Sequence, residues 1–410
     1  MPVSEEYKPQ ANRQIARAAG VVMLAFALSS IVGLVRSMFI SNAFGTGELI
    51  DAFNAASRLP DILFNLVAGG ALASAFIPTF TEFLERKDKE GAWKLVSAIV
   101  NLVILVLLVV STLTWVFAEK AVSQILAPSF PAHQQAITVE LLRILLISPV
   151  IFGVSGLVMG ILNAHQSFLL PALAPTMYWL GMIFGVIFLV PSMSIYGLAW
   201  GAVLGSMMHL LIQVPGLIKL RGKYSPGLGL RNKAVRTVGK LMAPRVLGVA
   251  VVQLNFLVNV NVASGLPVGS LTAITLGFTI MTMPQIVIAQ AISVAAMPTF
   301  SAQAARGELN ELRSSLTSTI RGILALSLPA AIGLILLRTP IMGMLFERGA
   351  FTEASTELAA AALLWYTVGL VSHSLLEILS RAFYALQDTK TPVTIGVLAM
   401  SLNVLFSLTF

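Results

Sequence analysis

Long apolar segments separated by short polar connections account for most of the chain. Bounded by charged residues, Pro or Gly, they fall at residues 18–44, 51–81, 95–118, 137–162, 169–190, 195–218, 241–263, 270–299, 316–337, 356–384 and 392–410. A helix of about 20 apolar residues crosses the hydrocarbon core of a bilayer. The pattern therefore predicts an all-α, polytopic membrane protein with about eleven transmembrane helices.

The composition supports a membrane protein and excludes a soluble enzyme. Of the 410 residues, 57% are hydrophobic and only 11% are charged, whereas soluble domains carry about 25% charged residues. The net charge of +8 is interpreted as loop charge on the cytoplasmic side of the bilayer rather than as a nucleic-acid surface. The chain has no Cys, which excludes disulfides and thiolate metal sites.

The distribution of basic residues predicts the orientation. With the N-terminus inside, 19 of the 26 Lys and Arg residues lie on the cytoplasmic side. The other seven are Lys120, Arg338 and Arg348 on the opposite side, and Arg36, Arg58, Arg143 and Arg245 within spans. This asymmetry predicts a multi-pass protein with a cytoplasmic N-terminus, in which the first 14 residues form a short polar tail.

The sequence also contains an internal repeat. Residues 75–80 (AFIPTF) match residues 295–300 (AAMPTF) at an offset of 220, and Ala164, Gln166 and Pro171 match Ala385, Gln387 and Pro392 at an offset of 221. The alternative explanation of these matches is that Pro is used independently at two helix starts. The offset spans six helices, so a duplication predicts two parallel six-helix repeats.

These repeats define the expected domains. Residues 1–232 would form an N-lobe with transmembrane helices 1–6, and residues 233–410 an incomplete C-lobe with helices 7–11. Two such lobes around a central cavity are typical of alternating-access transporters, whose substrate sites lie between the repeats. Because the sixth helix of the second repeat is missing, we expect the sequence to come from a longer protein.

Polar residues within the apolar spans are the candidate substrate-binding residues. A charge at the bilayer centre costs about 2.5–3.5 kcal/mol on insertion scales, so it normally faces a cavity or a partner. The candidates are Arg36 on the first span, Asp51, Arg58, Asp61 and Asn65 along one face of the second, and Arg245 on the seventh. Two roles other than substrate binding are open. An arginine could extend its side chain to the lipid headgroups, and the charged residues of the second span could form a purely structural salt-bridge ladder.

Nucleotide chemistry is not expected from this chain. It contains neither a G-x-x-x-x-G-K-[ST] motif nor a Gly-rich nucleotide fingerprint after a strand. We therefore expect no cofactor. Any pumping would use a Na⁺ or H⁺ gradient or the membrane potential.

An ordered series of short motifs resembles the MurJ/MviN family of the multidrug/oligosaccharidyl-lipid/polysaccharide exporter superfamily. The motifs are Gly33-Leu-Val-Arg36, Phe44-Gly45, Asp51-Ala-Phe53, Leu59-Pro60, Gly70-Ala71, Ala75-Phe-Ile-Pro78, Gly160-Ile-Leu-Asn163, Ala174-Pro175-Thr176, Leu345-Phe346, Gly349-Ala-Phe351-Thr352 and Gln387-Asp388-Thr-Lys390-Thr391-Pro392. The resemblance implies a 14-helix fold, of which twelve form two lobes. It also implies a monomeric flippase in the bacterial inner membrane that moves lipid II, or a similar polyprenyl-pyrophosphate glycolipid, to the outer leaflet. Some members bind sodium in the C-terminal lobe, which makes Asp388 a candidate metal ligand.

The sequence departs from that family where its members carry charge. Ser30, Phe64 and Thr279 stand where members have Arg, Ser37 where they have an acid, and Gly69 where they have Glu. Two other functions therefore stay open. One is an ion-coupled drug or cation antiporter of the same superfamily, with Asp61 as its carboxylate, and the other is a non-transporting paralogue.

Overall fold

The protein is helical throughout its described part. The computed structural model describes the backbone of residues 7–67 and 71–409, and their side chains except at 7–21, 67, 71–74, 244–245, 247–248, 251 and 408. The α-helices are α1 (Tyr7–Phe44), α2 (Glu48–Val67), α3 (Ala71–Glu85), α4 (Lys89–Val116), α5 (Ala118–Ala121), α6 (Ala132–Leu145), α7 (Ile147–Ala164), α8 (Leu169–Phe184), α9 (Val190–Met193), α10 (Ile195–Leu211), α11 (Val214–Lys219), α12 (Lys233–Ala263), α13 (Ser270–Pro284), α14 (Ala291–Ala305), α15 (Leu309–Phe346), α16 (Glu353–Val368), α17 (Leu370–Ala385) and α18 (Lys390–Thr409). Short π-helical stretches occur at Val122–Leu126, Gly185–Leu189 and Gln285–Gln290.

Eight candidate membrane spans are long and apolar enough to cross a bilayer, and a ninth forms if α16 and α17, bent by 42°, count as one. They are Val22–Phe44, Lys89–Val116, Ala132–Ala164, Leu169–Met193, Ile195–Lys219, Ser270–Ala305, Leu309–Phe346, Lys390–Ser407 and the bent pair. The predicted all-α polytopic class is confirmed, since nine of the predicted segments fall on these spans. The segments 51–81 and 241–263 do not qualify among the described residues, because α2 is rich in charge and the apolar stretch Val252–Ala263 is short.

The chain divides into two compact units. Unit 1 comprises residues up to Ile40 and Ala55–Leu257, and unit 2 comprises Ser41–Asn54 and Val258–Phe410. Helices α1, α2 and α12 therefore each contribute residues to both units. The predicted N-lobe of residues 1–232 and C-lobe of residues 233–410 stay a prediction.

Unit 1 has a core in which α3, α4, α7 and the start of α12 meet. Its largest fully buried side chains include Phe76, Phe80, Leu95 and Leu107. A second feature is the close approach of α8 and α10. An added Cβ at Gly205 would collide with the backbone of Tyr178, and one at Gly181 would collide with the backbone of Gly205.

The connectors that follow the repeated motifs share one local geometry. Lys87 and Gly307, 220 residues apart, both have positive φ, at 57° and 73°. Their amides donate to the carbonyls of Leu84 and Ala304, which are again 220 residues apart. At the second offset, 221, Gln166 and Gln387 have φ values of 57° and 61°. These matched helix ends support the predicted duplication.

Candidate substrate-binding site

Arg36 lies on α1 within unit 1, and its side chain is half-buried. Its Cζ sits 4.3 Å from the ring centroid of Trp179, a cation–π contact. One terminal nitrogen donates to Ser37 Oγ at 3.1 Å, and the other is 3.9 Å from Met182 Sδ. The Nε atom has no hydrogen-bond partner among the described residues. The guanidinium is thus held against a ring, and its Nε is a buried donor that no described residue accepts from.

The local sequence of α1 makes room for this stack. Gly33 precedes Arg36 by three residues, so both lie on one face of the helix. A Cβ at Gly33 would be 3.5 Å from Nε1 of Trp179, so the indole lies directly against the glycine. In the Gly33-Leu-Val-Arg36 motif, the indole of Trp179 therefore packs against Gly33, and the Arg36 cation stacks on the same indole.

The second part of α2 contributes two more charges to unit 1. Arg58 lies with its Cζ 5.5 Å from the ring centroid of Phe256, and its Nε has no hydrogen-bond partner within the described part of the chain. The Asp61 carboxylate is close enough to interact electrostatically with both Arg58 and Arg36. Asn65 makes a local contact, since its Nδ2 donates to the backbone oxygen of Asp61 at 2.8 Å. Three of the predicted residues therefore form one charged group, which we call the Arg–Asp cluster: Arg36, Arg58 and Asp61.

A small pocket opens beside this cluster, with room for about one water molecule. Its lining comes from α2, α6, α7 and α8 and consists of Ser57, Pro60, Asp61, Phe64, Leu145, Ser148, Pro149, Phe152 and Tyr178. A chain of ring contacts runs along it. The centroid distances are 4.7 Å from Phe64 to Phe152, 5.1 Å from Phe152 to Tyr178 and 4.8 Å from Tyr178 to Trp179. The pocket therefore has an aromatic wall that ends at Arg36.

The sequence did not reveal this wall. Phe152, Tyr178 and Trp179 stand in apolar spans, where aromatic residues are common and carry no signal of their own. Phe64 was noted only because the family it resembles has Arg there. The structure shows that Phe64 packs on Phe152, which makes the pocket aromatic at this position.

Asp51 has a different environment from the cluster. It belongs to unit 2 and is 3% exposed. Its Oδ2 accepts a hydrogen bond from the Gly269 amide at 2.7 Å, and its Oδ1 accepts from the amide and hydroxyl of Thr272 at 2.8 and 2.5 Å. Gly269 is the N-cap residue of α13 and has no side chain to cap it. The Asp51 carboxylate thus caps α13 from a neighbouring helix.

Asp388 is also a helix cap in the structure. Its Oδ1 accepts from the amides of Lys390 and Thr391, both at 3.0 Å, and its Oδ2 accepts from the Thr391 hydroxyl at 2.6 Å. These bonds lower the pKa of the Asp388 carboxyl below its ordinary value. The described residues contain no group of three or more His, Cys, Asp or Glu that could hold a metal ion. A sodium ion at Asp388 stays a prediction.

The remaining predicted residue, Arg245, lies outside the described side chains. His209 is buried and its Nδ1 lies 2.7 Å from Ser155 Oγ. Glu377 and Arg381 form an ion pair on α17, at 2.6 Å.

Comparison with known proteins places these features in a family. The model of the family "Lipid II flippase MurJ" matches residues 40–410. The lipid II flippase MurJ of Burkholderia cenocepacia is 32% identical over 382 residues, covering 90% of this chain and 73% of that protein. The probable lipid II flippase MurJ of Vibrio cholerae is 30% identical over 404 residues, covering 96% and 77%.

Solved structures agree with this assignment. A lipid II flippase MurJ in an inward closed conformation matches with a TM-score of 0.84 at 26% identity, covering 95% of this chain and 81% of that one. An inward-facing multidrug transporter of the MATE family matches with a TM-score of 0.76 at 14% identity, covering 92% and 88%; this shows a shared fold alone. The family match over residues 40–410, the two relatives and the solved flippase lead to one conclusion: the chain belongs to the MurJ family of lipid II flippases.

Proposed function

We propose that this protein is a lipid II flippase, which moves a polyprenyl-diphosphate glycolipid from the inner to the outer leaflet of the bacterial inner membrane. The single observation that carries the proposal, beyond family membership, is Arg36. Its guanidinium is stacked on Trp179, and its Nε has no hydrogen-bond partner among the described residues. A diphosphate needs a planar, permanently charged donor of this kind.

The role of each predicted residue follows from its contacts. Arg36 binds the diphosphate, and Arg58 adds a second cation. Asp61 and Asn65 shape the cluster, since Asn65 bonds the backbone of Asp61. We assign Asp51 a positioning role, since its carboxylate accepts hydrogen bonds from the first turn of α13.

Topology and energy supply complete the proposal. The excess of Lys and Arg on one side of the predicted spans supports a cytoplasmic N-terminus. A monomer working by alternating access fits the internal duplication. The driving force is a Na⁺ or H⁺ gradient or the membrane potential, which provides about 2.3 kcal/mol per charge per 100 mV.

Complementation of cells depleted of their own lipid II flippase tests this function. The wild-type protein should restore growth, and Arg36→Ala should not. Arg143→Ala is the matched control, because Arg143 also lies over an indole, 5.0 Å from the centroid of Trp115, but is paired with Glu119. Good membrane expression without rescue by the wild type would refute the flippase function. Rescue by Arg36→Ala would refute the role of Arg36.

A further inference from the structure

The Asp61 carboxylate makes no direct polar contact with the described part of the chain. It interacts with Arg36 and Arg58 through space, but it accepts no hydrogen bond and forms no close ion pair among the described residues. Its side chain is exposed, although α2 lies in a segment whose sequence predicts a membrane span. An ionised group in such a segment normally faces a cavity or a partner. The carboxylate is therefore open to a ligand.

The charges of the Arg–Asp cluster do not balance those of a diphosphate. Two guanidiniums and one carboxylate leave the cluster with a single net positive charge, whereas each phosphate of a diphosphate carries at least one negative charge. The occupied site would keep a net negative charge, and Asp61 would repel the nearer phosphate. A cation between the carboxylate and the phosphate would neutralise this excess and turn the repulsion into attraction.

We propose that Asp61 is a ligand of a divalent cation of the Mg²⁺ class, which binds together with the substrate and bridges this carboxylate to the diphosphate. This inference rests on the proposed function. Mg²⁺ is usually held by one or two carboxylates together with substrate phosphates and several waters, rather than by a cage of protein ligands. The described residues contain no group of three or more His, Cys, Asp or Glu around Asp61 or elsewhere, so the substrate would supply the other anionic ligands.

The small pocket beside Asp61 provides a place for one water ligand of this cation. It has room for about one water molecule, and Ser148 lines it together with Asp61. Ser148 is only 5% exposed, and its Oγ has no hydrogen-bond partner in the described part of the chain. Buried hydroxyls are nearly always hydrogen-bonded. A cation-bound water in the pocket would donate to Ser148 Oγ, and such outer contacts orient the ligands of a metal.

The two arginines determine when the cation binds. Without substrate, Arg36 and Arg58 give the surroundings of Asp61 a net positive charge, which repels a divalent cation. A bound diphosphate reverses the sign of that charge and adds phosphate oxygens as ligands. The cation therefore binds only together with the diphosphate. This dependence distinguishes the proposed site from a resident metal centre, which would bind the cation in the absence of lipid.

Titration of polyprenyl diphosphate against the purified full chain tests this inference. The protein is placed in phosphatidylcholine nanodiscs, whose lipid has no net charge, and each titration is run once with Mg²⁺ and once with EDTA. The wild type should bind the lipid at least about fivefold more tightly with Mg²⁺, the factor given by two unit charges about 4 Å apart in water.

Asp61→Asn should change affinity in opposite directions under the two conditions. In EDTA it should bind the lipid as tightly as the wild type or more tightly, because the repulsion between carboxylate and phosphate is lost. In Mg²⁺ it should bind the lipid less tightly than the wild type. Its affinity in EDTA also shows that the variant is folded, and Asp61→Glu, which keeps the carboxylate, should retain a response to Mg²⁺.

Mn²⁺ serves as a spectroscopic probe of the same site. In electron paramagnetic resonance, the wild type with polyprenyl diphosphate should remove more Mn²⁺ from the free signal than the lipid removes in empty nanodiscs. Ser148→Ala should weaken this Mn²⁺ binding by about tenfold, as is typical for loss of an outer contact. Glu119→Gln is the matched control, because Glu119 also accompanies an arginine stacked on an indole, 3.3 Å from Arg143, but lies outside the pocket lining. It should change neither readout.

The outcomes separate this inference from the proposed function. If the wild type binds polyprenyl diphosphate neither in Mg²⁺ nor in EDTA, the flippase function is refuted, and the cation site with it. If wild-type affinity is the same in both, or if Asp61→Asn binds more tightly than the wild type in both, only the cation site is refuted, and Asp61 merely repels the phosphates. Mn²⁺ binding to lipid-free protein that depends on Asp61 would also overturn the inference, in favour of a resident metal centre.

Discussion

Replacement of Asp51 should destabilise unit 2 without altering substrate contacts. The carboxylate is 3% exposed and receives three hydrogen bonds from the first turn of α13, at 2.7, 2.8 and 2.5 Å. In Asp51→Ala, the amides of Gly269 and Thr272 lose their acceptor in a buried position. The negative charge that complements the positive end of the α13 dipole is also lost.

The size of the effect follows from these contacts. Removing a helix N-cap costs about 0.5–2 kcal/mol, and leaving a buried donor unsatisfied costs about 1–3 kcal/mol. Asp51→Ala should therefore lower the free energy of unfolding by about 1.5–5 kcal/mol. Asp51→Asn should have an intermediate effect, because its carbonyl oxygen can accept one amide but its NH₂ group faces the other as a second donor.

The assay is thermal unfolding of the purified protein in detergent, compared with lipid binding by the same samples. We expect a lower midpoint for Asp51→Ala, a smaller decrease for Asp51→Asn, and an unchanged affinity for polyprenyl diphosphate at low temperature. Thr272→Val is a graded control, since it keeps the Thr272 amide and removes the hydroxyl, which donates to Asp51 and accepts from Asn54. An Asp51→Ala protein with wild-type stability and weakened lipid binding would refute the capping role and favour direct substrate contact.

Three further outcomes test other parts of the fold and site. Gly205→Leu should prevent close packing of α8 on α10 and reduce the yield of monodisperse protein in size-exclusion chromatography, because the new Cβ would collide with the backbone of Tyr178; a wild-type profile would contradict this packing. Trp179→Leu should weaken binding of bare polyprenyl diphosphate by about 2–5-fold through loss of the cation–π contact with Arg36, and unchanged titrations would exclude a positioning role for the indole. Because the folded-state pKa of Asp388 is lowered, its cap on α18 should persist at neutral and mildly acidic pH and be lost only as pH falls below the ordinary Asp value of 3.8. Hydrogen exchange of the first-turn amides of α18 measures this, and loss of their protection near pH 6 would contradict it.

The charged part of the site was predictable from sequence, but its division between the two units was not. Arg36, Arg58 and Asp61 stand out because ionised groups are rare in apolar spans. Asp51 and Arg58 are seven residues apart and share a helix face, which suggested one common role. The structure assigns α2 up to Asn54 to unit 2 and from Ala55 to unit 1. Helical periodicity shows which residues share a helix face. It does not show that the first part of α2 belongs to unit 2 and the second part to unit 1.

The aromatic wall illustrates a second limit of the sequence. Phe152 and Tyr178 lie in different helices, and their ring contact depends on how α7 and α8 pack. An apolar span that is simply lipid-facing would contain the same residue types. The carboxylate of Asp61, together with a Ser148 hydroxyl that has no hydrogen-bond partner among the described residues, distinguishes the pocket from ordinary packing. Both signals became informative after the structure brought them together.

The contact between Asp51 and Thr272 fits the predicted duplication. The residues are 221 apart, which is the offset of the second repeated motif, so under that prediction they hold equivalent positions near the starts of α2 and α13. Two acids at these positions would place like charges in one buried contact, and two threonines would leave the first turn of α13 without a carboxylate. One acid and one hydroxyl satisfy the site, and Asn54 donates to the same Thr272 hydroxyl at 3.0 Å. A duplicated sequence can therefore keep its backbone pattern in both copies, but at positions where the copies meet, the side chains must become different and complementary.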